Sequence, residues 1–364
     1  MELTTAFPGG NAIIKQDEKN KYLIEPDQRI GTMLWFYWCF KLLNPQDQTY
    51  SFVLSPKCTT NKGYAISFDQ GLTWQWAEPS TFKENTITFQ APANTSEVIL
   101  SMGMTYTLKN WDYFLSHHNL IKEANLETLC TTRNGRKTPL LRIKKDQVTK
   151  YKIIVTARHH CCEMMASYAL EGMIKYIFQN INKNEFRETE IVFIPMVDLD
   201  GVEEGDQGKG RAPHDHNRDY GETCIYPETP AIKAEVNKNK NLRVMTLDVH
   251  CPHLKGVWNE QVYLVGSPYD RIVAEEKKFL EIVEAENDSE LPFGKKNVLP
   301  YGVEWNTTAP GASNGTWCSQ QSHVVLASSI EIPYGISEGH DVTQDSARNL
   351  GEVLIKAMIQ YIKT

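Results

Sequence analysis

The chain has 364 residues, 41% of them hydrophobic and 23% charged, the balance of a globular protein with ample core; the length suggests two domains, or three. Its net charge of −7 is spread along the chain and not gathered in a tail, which argues against a nucleic-acid partner and reads as a solubilising surface. No run approaches the ~18 apolar residues of a membrane span. Met1 to Lys21 lacks the basic, apolar, small-residue order of a signal peptide, so a cytoplasmic protein with no membrane partner is expected, although a processed or trimmed chain would look the same.

Residues 1 to about 120 are rich in short β signals. Met33 to Phe40, Tyr50 to Leu54, Tyr64 to Phe68, Leu72 to Trp76, Thr86 to Phe89 and Val98 to Met102 are apolar or aromatic runs broken by Pro, Asn and Gly. Asp69-Gln70-Gly71 is a hairpin-type connection. The pattern predicts an all-β sandwich domain over residues 1–120. Its many aromatics could form a carbohydrate-binding face, but core is the better reading.

From about residue 125 the grammar changes. Strands are expected at Lys152–Ala157, Ile191–Val197, Leu242–Val249, Val262–Val265 and Val324–Ile332. Helices are expected at Glu163–Phe178, where Met165, Ala169, Met173, Tyr176 and Ile177 share a face, and at Asp341–Ile362, with Lys277–Glu284 a weaker helical signal. Alternating strands and helices predict an α/β catalytic domain over residues 121–364, with a mixed, mostly parallel sheet covered by helices on both faces. Asp200 to Glu228 carries little periodicity and reads as a long loop, which in a compact domain is usually functional.

Chemistry concentrates where strands end. Arg158-His159-His160-Cys161-Cys162-Glu163 follows the first of these strands and supplies an H-x-x-E pair, His160 and Glu163, at a strand-to-helix turn. Open α/β folds place their sites at such edges. The strand Arg243 to Val249 ends in His250. Two histidines and one glutamate leave a coordination position open for water, the arrangement of a catalytic zinc and not of a structural one. In the long loop, Asp215 suits the task of orienting a zinc-bound histidine through its other ring nitrogen. Arg218 is a planar fork suited to a carboxylate, a task Asn217 could share, and Arg211 could stabilise an oxyanion. Near the C-terminus, Glu331 lies inside an apolar strand, where a carboxylate is costly unless partnered and, near metal-activated water, makes a good general base. An inward salt bridge would explain the same residue.

The ordered set H-x-x-E, D-x-N-R, strand-terminal His and late-strand Glu resembles the zinc carboxypeptidase family, and in particular its cytosolic carboxypeptidase-like branch, whose members place a β-sandwich before the catalytic domain. Trp35-Phe36-Tyr37 and Tyr113 to His118 are similar to that branch's N-terminal domain. The resemblance implies one zinc per chain on His160, Glu163 and His250, with Asp215 orienting a ligand histidine. It implies that Asn217 and Arg218 hold the free C-terminal carboxylate of a peptide or peptide-like substrate. Arg211 would polarise the scissile carbonyl, and Glu331 would take a proton from zinc-activated water and deliver it to the leaving amine.

The chain departs from the family pattern in several places. Cys161-Cys162 stands where Pro-Gly is common, so thiols lie beside the ligands. Cys251-Pro252-His253 stands where Gly-His is usual, which makes His253 a rival ligand. The segment before D-x-N-R differs in length, so Lys209 could replace Arg211. Tyr301 is an open choice for a substrate-covering tyrosine, and Asn314 to Cys318 is where a reader of the last side chain is expected. The eight cysteines form no CxxC pair and read as free thiols. Three other readings stand beside the leading one: an inactive zinc- or peptide-binding homologue, a zinc-dependent deacylase of an N-acyl amino acid, and a cysteine hydrolase using Cys161 or Cys162 with His159 or His160.

Overall fold

The computed structural model describes residues 1–118, 120, 125–146, 148–307 and 313–364. Ten strands occupy the first part of the chain: β1 (Glu2–Thr4), β2 (Ile13–Glu18), β3 (Lys21–Glu25), β4 (Cys39–Leu43), β5 (Thr49–Leu54), β6 (Ala65–Ser67), β7 (Gln75–Trp76), β8 (Phe82–Lys83), β9 (Thr86–Gln90) and β10 (Glu97–Ser101). They make two five-stranded sheets, in the orders β1-β4-β10-β6-β7 and β2-β3-β5-β9-β8. Phe40 on one sheet meets Phe52 on the other, ring centroids 5.1 Å apart, so the two sheets face each other across aromatic side chains. Trp38, Phe40, Tyr50 and Phe52 are fully buried, as the core reading of these aromatics expects. The stretch before Cys39 is not strand: Met33 and Leu34 are exposed there, and Leu34 is 89% accessible.

Helix α1 (Leu108–His117) follows, a helix that the sequence reading lacked. The boundary expected at 120/121 falls against residues 119 and 121–124, outside the described set. Beyond it, one eight-stranded sheet is built from β11 (Asn125–Thr131), β12 (Lys137–Lys144), β13 (Tyr151–Ala157), β14 (Thr189–Ile194), β15 (Arg243–His250), β16 (Tyr263–Val265), β17 (Val298–Leu299) and β18 (Val324–Glu331). Their order is β11-β12-β14-β13-β15-β18-β16-β17. The centre, from β14 to β18, is parallel, while β12–β14 and β16–β18 pair antiparallel. The sheet is mixed with a parallel heart.

Strand periodicity explains how both faces are used. Ile153 and Val155 of β13, and Ile191 and Phe193 of β14, join the large hydrophobic cluster that also holds helices α2 (Met165–Asn180), α5 (Asp270–Glu286) and α7 (Gln344–Ile362). Ile154, Val192 and Ile194 point the other way, into a second cluster with α4 (Glu228–Asn237) and α6 (Asn314–Ser319). Two buried faces require near-continuous apolar strands, which is what β13 and β14 are. The larger cluster continues without a break into the aromatic core of the first hundred residues, and Tyr106 packs on Tyr168 of α2 at 5.1 Å.

Helices α2 and α7 cross at glycines. A Cβ on Gly172 would come within 1.9 Å of the Arg348 carbonyl oxygen, and one on Gly351 within 2.0 Å of that of Ala169. In an exposed helix Ala exceeds Gly by about 1 kcal/mol, but here the close backbone approach should reverse the sign. We expect Gly351→Ala to destabilise the protein by about 1–3 kcal/mol, seen as a lower midpoint in denaturant unfolding; a higher midpoint would show that the crossing is loose.

Candidate active site

Three parallel strands deliver the site. The chain leaves β13 at Ala157 and reverses at Arg158, whose φ of +62° is unusual for a side-chain-bearing residue. The Arg158 guanidinium holds that turn. It donates to the Cys161 carbonyl, to the Tyr106 carbonyl at 3.1 Å and to Ser167 Oγ at 3.0 Å. His160 and Glu163 lie in the turn it braces, just before α2. His250 is the last residue of β15, and the register sets it directly opposite Glu331, the last residue of β18. One edge of the sheet therefore carries all four residues.

The Glu163 carboxylate bridges two imidazoles. Its Oε1 is 2.8 Å from His160 Nδ1 and its Oε2 is 2.7 Å from His250 Nδ1. All three side chains are buried, and one ligand atom from each lies within 4.8 Å of the others, a group able to hold a metal ion. The far nitrogens are capped by carboxylates: His160 Nε2 faces Asp215 Oδ1 at 3.2 Å, and His250 Nε2 faces Asp248 Oδ2 at 2.7 Å. A ligand histidine normally donates its second N–H in this way, which fixes the tautomer and turns the other lone pair toward the metal. The donor set therefore fits zinc. Burial works against charge at both histidines, but the carboxylates prevail: Glu163 and Asp215 raise His160, and Asp248 and Glu163 raise His250. Burial alone would likewise raise Glu163, Asp215 and Asp248; the facing imidazoles pull all three well below the usual carboxylate range.

Asp215 caps the short 3-10 turn His216–Arg218, accepting from Asn217 N at 2.7 Å, and this places Asn217 and Arg218 beside the histidines. Asn217 Oδ1 accepts the backbone N–H of Asn314, the first residue of α6, at 2.9 Å. Its Nδ2 lies 3.2 Å from His250 Nε2, but that nitrogen already donates to Asp248, so a second donor gains nothing there. Arg218 forms no ion pair among the described residues; its Nη1 donates to the Asn217 carbonyl at 2.8 Å. Glu331 is 3% exposed, and among the described residues its Oε2 has no hydrogen-bond partner. Burial raises it above the ordinary glutamate value, against the pull of His250 and Lys209. His160, Asn217, Arg218, His250, Tyr301 and Glu331 all line one cleft of about 140 Å³.

The structure separates several of the expected residues from the site. Arg211 does not line this cleft: its guanidinium is buried in ion pairs with Asp198 and, at 3.1 Å, Asp206. Lys209 does line it, with its ammonium over the rings of Trp305 and Trp35 at 5.5 and 6.0 Å. His253 is not a rival ligand, because its ring packs edge-on against Phe36 and Trp35 at 5.0 and 5.5 Å. The thiols stand apart from the metal-capable group: neither Cys161 nor Cys162 belongs to it, and Cys161 Sγ donates to the Asp206 carbonyl at 3.2 Å. Burial raises both thiols above the ordinary cysteine value, which gives a cysteine nucleophile no support.

Sequence reasoning missed a second layer. His159 Nδ1 meets Asp248 Oδ1 at 2.8 Å, and its Nε2 meets Tyr220 Oη at 2.7 Å, where Asn314 Nδ2 also donates at 2.9 Å. Thr156 Oγ1 completes Asp248 at 2.8 Å. The signal was present as Asp248-x-His250, two residues on one face of a strand.

Residues 119–262 match the family model described as zinc carboxypeptidase, so the chain carries a zinc carboxypeptidase domain, as its motifs suggested. Cytosolic carboxypeptidase 3 of Bos taurus is 30% identical over 146 residues, which are 37% of this chain and 15% of that protein. Cytosolic carboxypeptidase 2 of Homo sapiens is 26% identical over 245 residues, 57% of this chain and 27% of that one. The chain thus spans under a third of the length of these curated relatives. The crystal structure of a metallo-carboxypeptidase from Burkholderia cenocepacia shares the fold, with a TM-score of 0.79 and 16% identity over 100% of this chain and 98% of that one. Among the described residues, no helix is long and apolar enough to cross a membrane.

Metal analysis tests the centre. Purified protein should hold about one zinc per chain, and His160→Ala should lose it. Asp248→Asn should keep the fold and weaken zinc affinity about 10–100-fold in a chelator competition; unchanged affinity would mean that Asp248 does not orient His250.

Proposed function

We propose that this chain is a zinc-dependent metallocarboxypeptidase that hydrolyses the amide bond beside a free C-terminal carboxylate of a peptide. One observation carries the reading: Glu331, a buried glutamate whose Oε2 has no hydrogen-bond partner among the described residues, stands in register with His250 and shares a cleft with Arg218, which forms no ion pair among them. Bound on His160, Glu163 and His250, zinc supplies Lewis acidity toward a carbonyl and lowers the pKa of water toward ~7. The protein's own groups do the rest. Arg218 takes the terminal carboxylate as a two-pronged donor, and the Asn217 amide, unrewarded at His250, adds a further N–H. Lys209, held over Trp35 and Trp305, faces the developing oxyanion in place of Arg211. Glu331 accepts the proton of the attacking water and returns it to the leaving amine, and its burial above the usual glutamate range suits both halves of that task. Tyr301, 38% exposed at the cleft, covers the bound residue.

The same reading divides the chain near residue 120 into a β-sandwich domain and a catalytic domain, supported by the two facing sheets that precede α1. A cytoplasmic setting draws support from the names of the relatives.

Glu331→Gln should leave zinc content intact and lower kcat by at least about 100-fold; near-normal turnover would remove Glu331 from the base role. Arg218→Ala should raise KM for a free-terminus peptide by at least about 10-fold, and wild-type enzyme should ignore the same peptide with an amidated C-terminus. Equal hydrolysis of free and amidated peptides would overturn the exopeptidase reading.

A further inference from the structure

A line of hydrogen bonds behind the cleft joins Asn217 to His250 through Asn314, Tyr220, His159 and Asp248, all of them buried. The Asn314 backbone N–H donates to Asn217 Oδ1 at 2.9 Å, and its side-chain Nδ2 donates to Tyr220 Oη at 2.9 Å. Tyr220 Oη is 2.7 Å from His159 Nε2, His159 Nδ1 is 2.8 Å from Asp248 Oδ1, and Asp248 Oδ2 is 2.7 Å from His250 Nε2. Tyr220 itself does not line the cleft and belongs to no metal-capable group among the described residues. Its ring lies in the smaller hydrophobic cluster, 6.3 Å from the Trp317 ring, so only its hydroxyl joins the line.

The donors can be arranged in one direction only. Asp248 accepts from Thr156 Oγ1, His159 Nδ1 and His250 Nε2, so both imidazole nitrogens that face it carry protons. Among the described residues Tyr220 Oη has two partners, His159 Nε2 and Asn314 Nδ2. The amide nitrogen only donates, which leaves His159 Nε2 as the acceptor for the phenolic proton and therefore bare. Cys318 Sγ, 3.8 Å from Asn314 Oδ1, holds the amide that way round. Every donor between Asn314 and Asp248 points toward Asp248, and His250 keeps the lone pair of its Nδ1 for the metal. Buried hydrogen bonds that run in one sense reinforce one another, and a deleted partner leaves its neighbours unpaired. Removing the Tyr220 hydroxyl strips His159 Nε2 and Asn314 Nδ2 at once.

We infer that Tyr220 is a positioning residue for the metal centre and the carboxylate clamp together. Through His159 it holds Asp248 against His250. Through Asn314 it holds the Asn217 amide with its N–H edge on the His250 side. The clamp half rests on the carboxypeptidase reading of the cleft; the metal half rests only on the metal-capable group.

Zinc affinity tests the metal half without turnover. In a chelator competition Tyr220→Phe should weaken zinc binding about 3–10-fold, less than the effect of Asp248→Asn. Because the path runs through Asp248, adding Tyr220→Phe to Asp248→Asn should cost less than about 2-fold more. A hydroxyl that serves stability alone would leave zinc affinity unchanged, as Gly351→Ala at the α2–α7 crossing should. That result for Tyr220→Phe, or full additivity in the double variant, overturns the inference. Nitrogen NMR of histidine-labelled, zinc-loaded wild type should show His159 protonated on Nδ1 and bare on Nε2, a measurement that stands even where Tyr220→Phe fails to fold. A proton on Nε2 reverses the line and overturns the inference. For a free-terminus peptide Tyr220→Phe should also raise KM at least about 3-fold; an unchanged KM overturns the clamp half. If zinc weakens and His159 has the expected tautomer while wild type cleaves no peptide, the metal half stands and the peptidase reading falls.

Discussion

The structure is organised around one buried carboxylate held between two imidazoles. Glu163 would be costly where it sits if it stood alone, as would His160 and His250 in charged form. Together they are mutually compensating, and Asp215 and Asp248 extend the compensation outward. Alternating acid and base across 2.7–3.2 Å contacts lets five titratable groups lie together away from water. That arrangement demands exact placement of a turn, a strand end and a loop, and the fold can be read as the means of supplying it. Arg158 fixes the turn, the β15–β18 register fixes His250 beside Glu331, and the Asp215 cap fixes Asn217 and Arg218.

The first forty residues take part in this placement. The loop that carries Lys209 and Arg211 has few apolar anchors of its own. Tyr37 bonds Gln207 twice through its backbone, at 2.8 Å each, and Asn11 Nδ2 donates to the Gly205 carbonyl at 2.7 Å. Ala212 N donates to the Ile30 carbonyl at 2.7 Å, and Gly31 bridges Arg211. A Cβ on Gly210, whose φ is +60°, would collide with Met33 at 2.3 Å, so the approach of the two segments is close. The early β segment thus braces the loop, and through Trp35 it also contacts the Lys209 ammonium that faces the cleft.

Much of this was legible in advance, and the reasons are local. β13, β15 and β18 are apolar runs, β15 and β18 ending in a polar residue and β13 followed directly by Arg158, and the sheet buries both faces, so the strand signals and the edge that carries the candidate site coincide. The spacing of H-x-x-E within a single turn is short enough for geometry to follow from sequence. α7 was readable because its apolar stripe is long and Thr343 with Ser346 forms a capping box at its start. By contrast α1 and α4 were not anticipated. α4 has a weakly segregated polar and apolar pattern, and its buried Ile232 and Val236 are few. The leading residues Met33 to Trp38 resemble a strand by composition, yet they run as an irregular segment, because their task is to pack against the loop at 205–211 and not to pair in a sheet.

By itself the sequence determined the alternation of strand and helix, and it singled out the candidate metal group, the Asp-x-Asn-Arg loop and the late glutamate, since each depends on neighbours within a few positions or on the end of one strand. Only the tertiary structure decided which cation faces the cleft, because Lys209 and Arg211 differ by two residues in a loop whose path is set from outside it. Only the tertiary structure joined His159, Asp248, Tyr220 and Asn314 into one network. Those contacts span tens of residues in the chain, and no local pattern encodes which buried polar group will meet which.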